Sequence, residues 1–497
     1  MEVVPLDVPT GLQRMLAARA WPIARVVRAS ALPFALRVAT GYTCGTPVSN
    51  IPFEKLTLDN GLRVILHHDP SSPLIAVDIW YHVGSKDEQP GRTGFAHLFE
   101  HLMFMGSAHA PYPSFDAIME TWGGHNNGTT SNDRTNYYEI GPANLLETFL
   151  WLEADRLATL PVVITQEELD RQRKVVQNER RQSYENRPYG RAELVVPEKM
   201  YEPTHPYHWP VIGSHEDLEA ATVADVRAFF DRFYRPSNAS LVIAGDFEPA
   251  RARALVERYF GWQAARPAPP QATATVRPLV EDVRVTIGDR VQLPRLRFEW
   301  HSPALFAAGD ADLDLAAHVL GGGKSSRLYK SLVFEKRIAQ DAWAYQSSQL
   351  LSGLFGVGVT AKPGVGLEAL EEATNAVIDE LAARGPTEEE LERARNTHLA
   401  DYYKSIDNLQ TRADMLNHYE RLLGDPGGMA ADLARYQRTT TRSVREAFAA
   451  IVATKRLVLG VVRDANAGSG DADVDDEGDT DVDDDGAPEG DIQEIGA

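Results

Sequence analysis

The feature that most constrains the fold is an internal repeat. Thr165-Gln166-Glu167-Glu168-Leu169-Asp170-Arg171 returns as Thr387-Glu388-Glu389-Glu390-Leu391-Glu392-Arg393. Val226-Arg227-Ala228-Phe229-Phe230 followed by Leu241-Val242-Ile243-Ala244 returns as Val444-Arg445-Glu446-Ala447-Phe448 followed by Leu457-Val458-Leu459-Gly460. The separations are 222, 218 and 216 residues. Repetition on that scale means a duplicated domain of roughly 200 residues. Hairpin-type strands and helices mix in each half, so the expected class is α+β, with two homologous domains of mixed antiparallel sheet packed with helices. At 497 residues the chain also exceeds what one ordinary core accommodates. The Pro/Ala-rich stretch 263–278 reads as a linker, with one domain over 51–262 and the other over 279–465.

Within the first domain, Asp59-Asn60-Gly61 between Leu56-Thr57-Leu58 and Leu62-Arg63-Val64-Ile65-Leu66 predicts a hairpin. A strand over 74–83 follows, with Ile75, Val77, Ile79, Tyr81 and Val83 on one face. The pattern then predicts helices over 114–122, 144–160, 165–183 and 223–234, and strands over 129–140 and 239–244. Gly123-Gly124 stops the first of these helices, and Thr165-Gln166-Glu167-Glu168 opens the third as a capping box.

Gly94 to Gly106 carries the chemistry. Within it, His97-x-x-Glu100-His101 places two imidazoles at i and i+4 of a helix, with a carboxylate projecting within the same arc. Two such imidazoles reach one metal, and the neighbouring carboxylate reaches a water beside it, the order found in inverted zinc-peptidase motifs. Phe95, Leu98, Phe99, Leu102 and Met103 give that helix its buried face. A third ligand is required downstream, and the pattern alone leaves Glu153, Glu168 and Glu179 open. Carried forward by 217 residues, the motif falls on Asp314-Leu315-Ala316-Ala317-His318. The first His is there an Asp and the Glu an Ala, so only one half keeps the motif.

Composition bounds the rest. Thirteen acids and no base lie in Asp471–Ala497, so the net charge of −21 leaves −8 for the remainder, which argues against a nucleic-acid binder. That tail, 466–497, is expected to be solvated and disordered; Asp473-x-Asp475-x-Glu477-Gly478 only grazes a calcium-loop pattern. No apolar run reaches the roughly 18–20 residues of a membrane span. Residues 1–50 carry Arg14, Arg19, Arg25, Arg28 and Arg37 with no acid after Asp7, a bias resembling a targeting segment. An extracytoplasmic, periplasmic location is slightly favoured over mitochondrial-type targeting. The single cysteine, Cys44, forms no intrachain disulfide.

Taken together, Asp59-Asn60-Gly61-Leu62, His97-x-x-Glu100-His101, Gly123-Gly124-x-Asn126-Asn127 through Asp133-x-Thr135-Asn136-Tyr137, and Asn178-Glu179-Arg180-Arg181 resemble the pitrilysin-type zinc metallopeptidases. His205-Pro206-Tyr207, Gly213-Ser214 and Gly245-Asp246 extend the likeness over about 51–465. The chain looks most like the half-size bacterial members and the catalytic subunit of the mitochondrial processing peptidase. The resemblance implies one zinc per chain, held by His97, His101 and Glu179, with Glu100 as general base. It also implies a substrate strand pairing along Asn127, Gly128, Thr129, Thr130 and Ser131, and places Gln172 where several relatives carry an auxiliary Glu. The family's Arg/Tyr pair, seven residues apart in a non-catalytic domain, is missing: its Arg position falls on Val333, while Arg337 and Tyr345 stand eight apart.

Family members enclose peptides in a clamshell of four such domains. This chain, with two, would therefore be the catalytic half of a two-subunit chamber that cleaves short peptides or unfolded polypeptides. The expected partner is a homologous non-catalytic subunit supplying the Arg/Tyr pair; a homodimer is the alternative. The competing reading is a non-catalytic scaffold subunit of the same fold, which would have no use for His97, Glu100, His101 and Glu179.

Overall fold

The computed structural model describes residues 51–464, so the N-terminal segment with Cys44 and the acidic tail lie outside the described residues. In chain order the first half forms β1 (Glu54–Thr57), β2 (Arg63–His68), β3 (Leu74–Tyr81), α1 (Phe95–Leu102), α2 (Ser114–Trp122), β4 (His125–Thr130), β5 (Thr135–Pro142), α3 (Leu146–Val163), α4 (Gln166–Arg180), α5 (Arg191–Met200), α6 (His215–Ala220), α7 (Val223–Phe233), β6 (Ala239–Gly245) and α8 (Pro249–Phe260). The second half forms β7 (Val283–Asp289), β8 (Arg295–Ser302), α9 (Asp310–Gly321), β9 (Ala339–Ser348), β10 (Gly353–Ala361), α10 (Leu367–Arg384), α11 (Glu388–Ser405), α12 (Leu409–Leu423), α13 (Met429–Arg438), α14 (Thr441–Val452) and β11 (Leu457–Arg463).

The repeat in sequence is a repeat in topology. One sheet runs β1-β2-β6-β3-β5-β4 and the other β7-β11-β8-β10-β9. Leaving out β1, the orders match strand for strand, including the one parallel pair in each, β2 with β6 and β7 with β11. The two capping boxes read from the repeat form as expected, Thr165 with Glu168 and Thr387 with Glu390. Gly61, at φ +90°, turns the β1–β2 hairpin, and Gly123 ends α2 in the left-handed region.

Two local readings change. The stretch expected as a single strand over 129–140 is a hairpin, β4 and β5, because Ser131 to Arg134 closes a turn. There the Ser131 hydroxyl accepts from the backbone N–H groups of Asp133 and Arg134. And β3 is buried on both faces: Ile75, Val77, Ile79 and Tyr81 are fully covered, but so are Ala76 and Asp78.

The second face of β3 is covered by a helix from the other half. α12 packs across β3 and β6, and Asn417 Nδ2 donates to both the backbone O and Oδ2 of Asp78 at 3.0 and 3.1 Å. Reciprocally, α5 packs on β7, β8 and β11, where Ala192, Val196 and Met200 join Leu457, Leu459 and Val461 in one apolar cluster. Each half lends a helix to the other's sheet. A hydrogen-bonded clasp accompanies the exchange: Asp133 accepts from Tyr207 Oη at 2.7 Å and from the Leu350 backbone N–H at 2.9 Å, and Asn132 donates to Gln349 at 2.7 Å.

Candidate metal centre

α1 is short, and its start is fixed by surrounding groups rather than by its own side chains. Gly94 precedes it in the left-handed region at φ +84°. The Glu88 carboxyl oxygens accept from the Gly94 and Ala96 backbone N–H groups at 2.9 and 2.8 Å, satisfying the first turn, while burial pushes that carboxyl well above its ordinary pKa. Gly94 also lies so close to Gly213 that a Cβ on Gly213 would stand 2.4 Å from the Gly94 Cα. The apolar face then seats the helix: Phe95, Leu98, Phe99 and Leu102 are buried, and Phe99 stacks on Phe229 and Tyr234. His97 and His101 are left facing the cleft, their ring centroids 4.8 Å apart.

α4 supplies the third group. Its buried line, Leu169, Gln172, Arg173 and Val176, packs it against α1, and Arg173 donates to the backbone oxygens of Leu218 and Ala221 at 2.8 and 2.7 Å. Glu179 emerges near the C-terminal end, beside Arg180, which binds the Gly213 carbonyl and Glu185. The alternatives left open by the sequence are engaged elsewhere. Glu153 is wholly buried and bound to Arg156 Nε at 2.9 Å, and Glu168 is engaged in the capping box of α4.

One Glu179 oxygen lies 3.5 Å from His97 Nε2 and the other 3.2 Å from His101 Nε2. Among the described residues this is the one group of three or more His, Cys, Asp or Glu whose ligand atoms all fall within 4.8 Å of one another. Donors bound at about 2.0–2.1 Å around a tetrahedral ion stand about 3.3–3.5 Å apart, so the set fits zinc in spacing and in chemistry. Exposure rises from 11% at His97 through 23% at His101 to 33% at Glu179, so the cluster opens to solvent on the Glu179 side. Burial holds the His97 imidazole below its usual pKa, which keeps it neutral and able to donate a lone pair. Burial would push the Glu179 carboxyl up, but its hydrogen bond with His101 and the nearness of the two imidazoles hold it below the ordinary value. Nδ1 of His97 is buried and makes no hydrogen bond, so packing rather than a carbonyl orients that ring.

Glu100 stands apart from this triad. Its Oε2 accepts from Thr130 Oγ1 at 2.5 Å, which ties it to the edge strand β4. Gly128 lets the strand approach: a Cβ there would come within 3.1 Å of Glu100 Cγ and of the Tyr137 ring. Of the residues expected along the substrate strand, Asn127, Gly128, Thr129 and Thr130 lie on β4. Ser131 lies one residue beyond it, with its hydroxyl engaged in the turn. Thr129 binds Asn136 at 2.5 Å, and Asn127 Oδ1 accepts from the Gly128 backbone N–H at 2.8 Å. The roles of Thr130 and Gly128 toward Glu100, and of Glu88 toward α1, depend on contacts across the sheet edge and have no spacing signature in sequence.

Other expected residues sit differently. Gln172 is buried, but its amide approaches Met105 Sδ at 2.9 Å and makes no hydrogen bond to the triad. Tyr345 directs its hydroxyl at Glu299, 2.9 and 2.8 Å from the two oxygens, with Arg297 at 3.2 Å, while Arg337 is exposed ahead of β9 at φ +56°. Val333, at the family's Arg position, is partly buried against the second core.

Residues 63–206 match the insulinase family, peptidase family M16, and residues 220–397 match the peptidase M16 inactive domain. The chain is 30% identical over 369 residues to the zinc protease PqqE of Helicobacter pylori, covering 73% of this chain and 81% of that protein. It is 26% identical to the uncharacterized zinc protease YmxG of Bacillus subtilis, over 75% of this chain and 88% of that one. The crystal structure of a protease from Helicobacter pylori superposes with a TM-score of 0.77 at 26% identity, over 83% of this chain and 99% of the other. The chain belongs to peptidase family M16. The periplasmic protease PqqL of Escherichia coli shares the fold at a TM-score of 0.69 and 19% identity, and there the match spans 84% of this chain but 48% of PqqL.

Proposed function

We propose that the chain is a zinc-dependent endopeptidase acting on short or unfolded polypeptides. The observation that carries this reading is the convergence of His97, His101 and Glu179 beside a separate carboxylate, Glu100, under an edge strand. Relatives named zinc proteases support it. A zinc ion held by the triad would supply Lewis acidity toward a peptide carbonyl and would lower the pKa of a bound water toward about 7. The chain's own groups do the rest. β4 takes the peptide as an added strand, its outer edge having no partner among the described strands. Glu100, steadied by Thr130, accepts the proton of the attacking water and returns a proton to the leaving amine. Glu100→Gln should retain zinc by metal analysis and lose about 10²–10⁴-fold in cleavage of a quenched peptide; loss of zinc in that variant would make Glu100 a ligand and overturn the assignment.

The chain matches one half of PqqL, which supports a chamber completed by a second subunit. The engagement of the Tyr345 hydroxyl by Glu299 disfavours Tyr345 as a donor to another copy's site, so a homologous partner carrying the Arg/Tyr pair is the better reading than a homodimer. PqqL's description as periplasmic supports an extracytoplasmic location. No helix among the described residues is long and apolar enough to cross a membrane.

A further inference from the structure

A peptide paired along β4 turns alternate side chains to opposite faces of the sheet, and only one of those faces carries the metal cluster. The Ser131 N–H donates to the Arg134 carbonyl at 2.9 Å, so these two residues are a bonded pair that continues the β4–β5 register. Bonded and non-bonded pairs alternate in an antiparallel ladder. Thr129 therefore spends its backbone groups on Asn136, while Thr130 and Gly128 turn theirs to the open edge. The Gly128 N–H accordingly meets Asn127 Oδ1. A peptide strand bonded at Gly128 and Thr130 has the residue between them lying beside Thr129. The side chain of that residue points away from Glu100, to the face on which Thr129, Asn136 and Trp80 stand.

Arg134 occupies that face. Its Nη1 donates to the Thr129 carbonyl at 3.0 Å, to the Thr129 hydroxyl and to Asn136 Oδ1 at 3.2 Å, and its guanidinium lies 4.9 Å over the Trp80 ring. All of these bonds use one nitrogen, and all of the acceptors are neutral. Among the described residues Nε and Nη2 bond nothing, and Arg134 forms no ion pair. The acids nearby are engaged with other groups. Asp133 accepts from Tyr207 and the Leu350 N–H, and Asp414 from the Trp80 indole and Asn136. Asp78 is fully buried, which raises its carboxyl well above the ordinary range. One edge of the guanidinium is thus anchored to the strand, above an indole, and the other edge is a two-donor fork without a partner. A carboxylate fits such a fork through two parallel N–H···O bonds.

We propose that Arg134 determines specificity, selecting peptides that carry an aspartate or glutamate at the position beside Thr129, one residue away from the part of the peptide that faces Glu100. The inference rests on β4 taking the substrate as an added strand, as proposed above. The probes are quenched peptides with amidated C-termini, in which Asp or Glu singly replaces Asn or Gln at each of the two positions on either side of the scissile bond. An acid at one position should raise kcat/KM about tenfold, and acids at the positions directly flanking it should not, because those side chains face the other side of the sheet. Arg134→Gln should remove the preference, and Arg134→Glu should replace it with a preference for Lys, both at unchanged zinc content. Fluorescence-anisotropy titration of the same peptides onto Glu100→Gln, with and without Arg134→Gln, reads the preference without cleavage. Arg134-dependent acid preference in binding, with no peptide cleaved by the wild type, would sink the peptidase reading and leave this inference standing. Cleavage without an acid preference, or with one that survives Arg134→Gln, overturns the inference and leaves the peptidase reading intact. A preference seen only with a free C-terminus belongs to the terminal carboxylate and overturns it too, and the absence of both binding and cleavage overturns both.

Discussion

Thr130 gives the sharpest test of the catalytic reading. Among the described residues its hydroxyl alone donates a hydrogen bond to Glu100, at 2.5 Å, and it reaches across from a strand that binds only β5. Thr130→Val keeps the branched shape and removes the donor. A hydrogen bond to a charged group contributes about 1.5–3 kcal/mol. At tenfold per 1.36 kcal/mol that sets an expected fall in kcat of about 10–150-fold, if the bond persists into the transition state. The loss must stay smaller than that of Glu100→Gln, since a misoriented base still accepts protons while an amide does not. Zinc content should be unchanged, because Thr130 touches none of the triad, and Thr130→Ser should restore most of the rate. Quenched-peptide kinetics with metal analysis on the same preparations provide the readout. A Thr130→Val enzyme with wild-type kcat would show that Glu100 does not need this anchor, and zinc loss would mean the strand supports the metal site instead.

The ligand assignment separates from the buried acids: His97→Ala, His101→Ala and Glu179→Gln should lose zinc by mass spectrometry. Glu153→Gln should keep it but lower stability by about 3–5 kcal/mol, because it weakens the hold on the buried Arg156; zinc loss in Glu153→Gln would move the third ligand. Burial, reinforced by the charge of Asp310, raises the Asp314 carboxyl from 3.8 to about 8. The folded state thus holds that proton more tightly, and its stabilising contribution, complete below about pH 4, is lost as pH rises toward 8. The Tm of the wild type minus that of Asp314→Asn should accordingly fall between pH 5 and pH 9, and a pH-independent difference would refute the shift. Alone, the chain should be a weak peptidase, stimulated sharply by a homologous half-size subunit carrying Arg and Tyr seven apart, because one absent oxyanion donor costs about 3–4 kcal/mol. Full activity from a homodimer sized by light scattering, and abolished by Arg337→Ala, would refute that.

Much of the fold was legible because its signals are local. The capping boxes at Thr165 and Thr387 name their helices, Gly61 names its turn, and the repeated segments announce two copies of one topology. At the metal cluster, helical spacing alone brings His97 and His101 together, whereas Glu179 needed the family likeness, since Glu153 and Glu168 carry the same chemistry in sequence. What escaped the sequence is long-range. The turn at Ser131–Arg134 hides in a stretch whose flanks both favour strand, and the Thr130–Glu100 bond joins residues 30 apart through sheet geometry. Asp78, fully buried in mid-strand, reads as a solvent-facing residue until α12 is seen to cover it.

That cover explains why a half without the metal motif is retained beside one that has it. α12 belongs to the second half but seals the face of β3 and β6 opposite the cluster, with Asn417 on Asp78 and Asp414 on the Trp80 indole. Removing it would leave the Asp78 carboxyl, whose pKa burial raises well above the ordinary value, and the apolar side chains beside it facing water. α5 performs the same service for β8 and β11. Neither sheet is complete without the other's helix, so the halves form one structural unit even though, among the described residues, the candidate metal ligands lie in the first alone. The clasp from Asp133 and Asn132 to the β9–β10 turn then ties the end of β4, the strand that steadies Glu100, to the second half. Asp314 and Ala317, at the motif's places on α9, take no part in this exchange, whereas without α12 the sheet behind α1 would be exposed.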